Sequence, residues 1–300
     1  WGHAIGGMGA ITQAMKKEAE RRGVEITTSA EVAQVAADLR GVQAVQLANG
    51  RMVEARCVVS NVNPRLLYTK LVPRHALDDE FLRRMQGYKC VSGTLRMNLA
   101  LSELPDFKCL PGTTQARHHG AGIIIAPTLQ YMEQAYFDAR TLGCARAPVI
   151  EILIPSTVDN TLAPPGRHVA SLFCQHFNPS LPNGLEWEKI REPAADLVLT
   201  IVNQYAPNFK ASVMGRMILT PADLERRFGL IGGDIFHGAL TLDQLWSARP
   251  LLGYGAYRGP VQGLYMCGAG THPGGGVTGA PGFNAAREII RDFKRGRIAR

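Results

Sequence analysis

Residues 267–282 read CGAGTHPGGGVTGAPG. Seven of these sixteen residues are glycine: Gly268, Gly270, Gly274, Gly275, Gly276, Gly279 and Gly282. Two are proline, and almost none carries a bulky side chain. The apolar run GLYMC leads into the stretch. FNAAREIIRDF follows it and places Phe283, Ala286, Ile289, Ile290 and Phe293 on one face of an expected helix. A strand, a bare backbone and a helix N-terminus in succession make an anion site. The first-turn N–H groups have no partner within the helix, and the positive end of the dipole points the same way. Glycine leaves no Cβ between backbone and ligand. The other use of such a stretch is a structural loop at a tight helix–strand contact.

Gly274–Gly279 matches G-x-G-x-x-G literally. A Rossmann fingerprint also needs a second strand after the helix and an acid about twenty residues further on. Neither follows Gly279. The loop therefore reads as a second contribution to a dinucleotide site whose first βαβ unit lies elsewhere. The first residue is Trp rather than Met, so upstream sequence is expected.

Working outward, Gly6-Gly7-Met8-Gly9 opens a helix with Ile11, Ala14, Met15 and Ala19 at helical spacing, closed by Gly23. VEITTSAEVAQVAAD reads as two short strands, and VQAVQLANGRMVEA as a hairpin turning at Asn49-Gly50. CVVSN reads as a buried parallel strand. From Pro64 to about Pro250 the texture changes. Helical patterns alternate with the strand patterns VSGTLRMNLAL, GIIIAP, PVIEILIPST, RHVASLFCQHF and SVMGRMILT. That layout predicts an antiparallel sheet covered by helices. The expected fold class is α/β plus α+β. Residues 1–63 and 253–300 form one discontinuous α/β domain, and residues 64–252 are inserted as a second.

The chain has 300 residues, 46% hydrophobic and 19% charged, enough to bury a substantial core. It has no stretch of eighteen apolar residues and no signal-peptide pattern. Net charge is +8, but the basic residues are scattered except in the tail KRGRIAR. They suit a solvated surface, with peripheral membrane contact through the tail as the alternative. No aromatic residues interleave with them, which argues against nucleic acid. The six cysteines form no C-x-x-C pair, and no zinc or other metal site is expected. Buried, reduced thiols in a cytoplasmic protein are expected.

GLYMCGAGTHPGGGVTGAPGFNAAREI resembles the C-terminal flavin-binding motif of the phytoene desaturase-like FAD-dependent oxidoreductases. GGMGAITQAMKKEAERRGVEITTSAEVAQV followed by ARCVVSNVNP, and GGDIFHGALTLDQLWSARPLLGYGAYRGPVQGLY, resemble the same family. The clear matches cover roughly residues 2–65 and 230–290. The resemblance implies part of an FAD-binding domain of the glutathione-reductase type, with an inserted antiparallel-sheet substrate domain. The family's N-terminal β-Gly-x-Gly-x-x-Gly-α unit, which holds the FAD pyrophosphate, has no counterpart in these residues. The chain so reads as a C-terminal portion, not competent alone.

By resemblance, Val32 meets the adenine, and Ser60 and Asn61 end a strand near adenosine and phosphates. Gly268 and Ala269 lie near the ribityl and pyrophosphate. Gly276, Val277 and Thr278 bring the helix N-terminus to the pyrimidine edge of the flavin. The implied reaction is hydride removal from a hydrophobic small molecule onto flavin N5. The cofactor does that chemistry, so no strong acid–base set is required. Asp234 and His237 either line the active-site cavity or serve structure. His272 either touches flavin or substrate, or caps the glycine loop. Tyr254 and Tyr257 either flank the flavin or pack in a core. His118-His119 reads as surface or cavity wall. The alternative class is a non-catalytic module that binds a nucleotide or a partner without redox chemistry.

Overall fold

The computed structural model describes residues 2–91 and 93–298. The end of the basic tail lies outside the described residues. In chain order the strands are β1 (Val32–Asp38), β2 (Gly41–Leu47), β3 (Met52–Glu54), β4 (Val58–Ser60), β5 (Leu95–Leu101), β6 (Ile123–Ile125), β7 (Cys144–Leu153), β8 (His168–Phe177), β9 (Val213–Leu219) and β10 (Leu264–Met266). The chain divides into two compact units. One runs to Ile26 and resumes over Gly93–Asp223; the other takes the segment from Thr27 and the segment from Leu224 onward. Both boundaries expected from sequence, 63/64 and 252/253, lie inside the second unit.

The first unit is built on a five-stranded sheet, β6-β7-β8-β5-β9, antiparallel at every pairing. Its strands alternate as a half-buried sheet must. Leu95, Met97, Leu99 and Leu101 of β5 are buried, whereas Arg96 and Asn98 are not. The buried face packs against the helix Trp187–Tyr205 through Ala194, Ala195, Val198, Leu199, Ile201 and Val202. The helix Leu129–Leu142 starts where the Thr128 hydroxyl accepts from the Tyr131 N–H at 3.0 Å. It ends at Gly143, whose φ of +86° only glycine adopts freely.

The second unit holds the meander β1-β2-β3 and a parallel pair, β4 with β10. The hairpin turns at Asn49-Gly50, as expected. Leu67, Tyr68, Phe81, Met85, Tyr88, Leu264 and Met266 are among its core.

Several expectations fail. β4 pairs in parallel as expected but is not buried, and Val59 is exposed. Of the thiols expected to be buried, Cys90 and Cys174 are, whereas Cys109 is exposed and Cys57, Cys144 and Cys267 lie between. VEITT forms no strand; only β1 follows. The apolar stripes of the two terminal helices are not core faces either. Gly9–Arg21 buries no residue, and Ile11 and Met15 are exposed. In Ala280–Lys294 the buried residues are Pro281, Ala285 and Asp292, while Phe283 and Ile290 are exposed. Helical periodicity predicts a face, but not what covers it.

Candidate functional site

β4 and β10 end level with one another, Ser60 beside Met266. The loops that leave them are therefore neighbours. The Cys267 N–H donates to the Ser60 carbonyl at 2.8 Å, extending the pairing by one residue. A Cβ on Gly268 would lie 3.1 Å from the Asn61 Cβ, and φ there is +88°. A Cβ on Gly270 would lie 2.7 Å from the Pro64 ring. The first half of the glycine stretch is bare because another segment of chain packs on it.

The second half is bare for a different reason. Gly275 to Gly279 are exposed. A Cβ on Gly276 would meet only the Thr278 methyl at 3.7 Å, and Gly279 and Gly282 have nothing within 4 Å. Gly279 caps the helix Ala280–Lys294 with no side-chain cap of its own. The Thr278 hydroxyl accepts from the Ala280 N–H at 3.2 Å. Val277 holds φ at +57° with its side chain 75% exposed. The result is an open run of backbone at a helix N-terminus, which suits an anionic or polarisable ligand edge.

Arg249, fully buried, joins this loop to the segment Asp234–Gly238. Its Nε and Nη2 donate to the Ala269 carbonyl at 3.0 and 2.8 Å, Nη1 donates to Gln244 at 3.2 Å, and Nη2 also donates to Phe236. Asp234 is wholly buried and accepts from the Phe236 N–H at 3.0 Å. His237 sits at φ +58°, and its carbonyl accepts from the Tyr88 hydroxyl at 2.8 Å. Its Nδ1 is buried without a partner among the described residues. Burial holds the imidazole below its ordinary pKa; the nearby Asp234 opposes that, and Arg249 adds to it.

The fold thus gathers Ser60, Asn61, Gly268, Ala269, Asp234 and His237, with Gly276, Val277 and Thr278 at the rim. The orphan Nδ1 of His237 and the open backbone from Gly275 fit a group that brings a hydrogen-bonding edge and negative charge, as FAD does. Val32 is not drawn into this cluster: it opens β1, in the other sheet of the unit, paired with Leu47. His272 contributes its carbonyl, which accepts from the Tyr257 hydroxyl at 2.8 Å. Tyr257 is buried and also accepts from Asn284 Nδ2 at 2.9 Å, tying loop to helix. Tyr254 packs edge-on against Phe81 at 4.9 Å. His119 is buried with both ring nitrogens bonded, to Ala116 and Pro105, so it is a structural residue.

Sequence reasoning passed over Arg249, Tyr88 and the Arg258–Asp292 pair. Arg258 Nε donates to Asp292 at 2.7 Å and anchors the last helix. No periodicity marks such residues; a lone arginine in the Gly/Pro-rich segment SARPLLGYG was the one signal for Arg249. Among the described residues there is no group of three or more His, Cys, Asp or Glu arranged to hold a metal. No helix among them is long and apolar enough to cross a membrane.

Residues 2–94 match the family described as flavin containing amine oxidoreductase. Over 98% of its length the chain is 43% identical to pyridine nucleotide-disulfide oxidoreductase domain-containing protein 2 of Rattus norvegicus, covering 52% of that protein. It is 27% identical over 91% of its length to a lycopene-forming phytoene desaturase of Pseudescherichia vulneris, again covering 52%. Among solved structures, an oxidoreductase from Methanosarcina mazei superposes with a TM-score of 0.61 at 16% identity, over 96% of this chain and 55% of that one. The chain spans about half the length of the relatives it matches. Its fold is a mixed α/β fold of the kind found in FAD-dependent oxidoreductases. Motif and identity together make the chain similar to the phytoene desaturase-like branch of the FAD-dependent oxidoreductases.

Proposed function

We propose that the chain is the C-terminal portion of an FAD-dependent oxidoreductase of the desaturase type, acting on a hydrophobic small molecule. The observation that carries this is the level ending of β4 and β10, which sets Ser60-Asn61 against Gly268-Ala269 and leaves Gly275–Gly279 open. The glutathione-reductase-type site would then be shared with a further α/β unit. Three features support a longer protein. A parallel sheet of two strands is too small to stand alone, and Val59 of β4 is exposed where such strands are usually covered. The helices Gly9–Arg21 and Ala280–Lys294 each leave apolar residues uncovered. The relatives are about twice as long.

In that protein the N-terminus of helix Ala280–Lys294 and the amides from Gly275 would hold the cofactor's polar edge. Ser60 and Asn61 would position its phosphates, and Arg249 would keep the loop in register. The chemistry supplied by bound FAD is acceptance of a hydride at N5 from a substrate C–H bond. His237 would orient the ligand through Nδ1 rather than exchange a proton, since burial favours its neutral form. The antiparallel sheet of the first unit would carry the substrate. The test is anaerobic mixing of the flavin-loaded protein with candidate hydrophobic substrates. Bleaching of the flavin band by one of them supports an oxidoreductase. A protein that retains flavin yet is bleached by none of them, nor by chemical reductant, would instead be a binding module.

A further inference from the structure

We propose that the face of the five-stranded sheet opposite the helix Trp187–Tyr205 binds the carboxylate of an amphiphilic carboxylic acid, with Arg96 as its anchor. The inference deepens the reading of a hydrophobic substrate and rests on it. On the face turned away from the helix Trp187–Tyr205, the strand register aligns Leu219, Arg96, Phe173, Glu151 and Ile124 in one row across β9, β5, β8, β7 and β6. The next row is Met217, Asn98, Ser171 and Leu153. Ile124, Leu153 and Met217 are exposed.

Arg96 is the one cation in these two rows. Its guanidinium lies 5.3 Å above the centre of the Phe173 ring, and Nη2 donates to the Ser171 hydroxyl at 3.1 Å. Stacking and that bond hold the fork in one plane. Among the described residues, the Ser171 hydroxyl is the partner of its guanidinium. Half-burial disfavours its charge, with Cys174 and Glu151 acting the other way. A planar, pre-oriented guanidinium with spare donors is matched by a carboxylate, which takes two of them side by side. Glu151 is the one acid in these rows, beyond Phe173 and about 10 Å away by strand spacing. It disfavours a doubly charged phosphate more than a carboxylate. The apolar residues at both ends of the rows would take the chain of the acid.

The experiment is calorimetric titration of the flavin-free full chain with dodecanoate and with dodecanol, a pair that differs in the head group alone. Wild type should bind dodecanoate at least about tenfold more tightly. Arg96→Met should remove that preference, Arg96→Lys should keep part of it, and Glu151→Gln should strengthen dodecanoate binding. Equal affinity of wild type for acid and alcohol would overturn the proposal, as would a folded Arg96→Met variant that keeps the preference. Should Arg96→Met fail to fold, Glu151→Gln decides: unchanged dodecanoate affinity refutes the anchor. Because flavin is absent throughout, failure here leaves the cofactor assignment standing, and failure to retain flavin leaves this result readable.

Discussion

The Arg249 guanidinium holds the Ala269 carbonyl with two hydrogen bonds, from Nε at 3.0 Å and from Nη2 at 2.8 Å. The same side chain also bonds the carbonyls of Gln244 and Phe236. One buried cation thereby fixes the start of the glycine loop against the segment that carries Asp234 and His237. Arg249→Met would strand these carbonyls in a dry interior. We expect a loss of about 3 kcal/mol or more, read as a shift of the urea unfolding midpoint. A loss below about 1 kcal/mol would show that the loop does not depend on this clamp.

Two glycines of the first unit should answer very differently to alanine. A Cβ on Gly93 would lie 2.0 Å from the Phe177 carbonyl oxygen and 2.9 Å from Pro179 Cδ, so backbone would have to move. Gly215, on β9, has nothing within 4 Å and no positive φ. Gly93→Ala should cost roughly 2 kcal/mol or more, whereas Gly215→Ala should be neutral or mildly stabilising. Equal unfolding midpoints for the two variants would mean that the junction entering β5 is looser than it looks.

Acid should weaken the first unit at a mild pH. His118 and His168 both titrate below the usual histidine value, through burial first and the neighbouring His119 second. A lowered folded pKa means that the unfolded chain takes up the proton more readily. Stability should therefore fall as pH drops below about 6.5 and level off once the folded histidines are also charged. Above that window these groups contribute no pH dependence. Asp138 works in the same sense, in a more acid window. Its bonds to Arg146 hold it down to about 2, so its contribution is present above the ordinary carboxylate range and is lost as pH falls through that range towards about 2. Unfolding midpoints measured between about pH 5 and about pH 7 check this, and His118→Gln with His168→Gln should flatten the slope. An undiminished slope in the double variant would place the titration elsewhere.

Much of the architecture is legible in the sequence, for a physical reason. All five strands of the large sheet and the parallel pair β4 and β10 fall in strand patterns read from the sequence; burial accounts for the pattern in β5 and β10, while β4 and most of β9 are not buried. The terminal helices mislead, because the stripes Ile11–Met15 and Phe283–Ile290 predict cover that the fold of this chain does not supply. The glycine loop is half legible. Composition marks it as special, but cannot separate Gly268 and Gly270, which admit Asn61 and Pro64, from Gly276 and Gly279, which face open space. Arg249 leaves no periodic signal, since a buried cation solvated by carbonyls has no spacing; a lone arginine in a Gly/Pro-rich segment is its one mark. Nor does any pattern foretell the left-handed backbone at His237, Tyr257 and Val277.

The most direct measurement is flavin content after purification of the protein from its complete reading frame, for wild type and for Gly275→Val. Gly276 is the poorer probe, because its φ of +111° would strain any other residue and confound folding with binding. Gly275 carries no such strain, and a Cβ there would make only ordinary contacts, with Ala269 at 3.7 Å and Phe236 at 4.0 Å. We expect wild type to carry close to one flavin per chain, and Gly275→Val to lose it while its unfolding midpoint stays put. Full flavin occupancy in a folded Gly275→Val variant would contradict the assignment of this loop to the cofactor site.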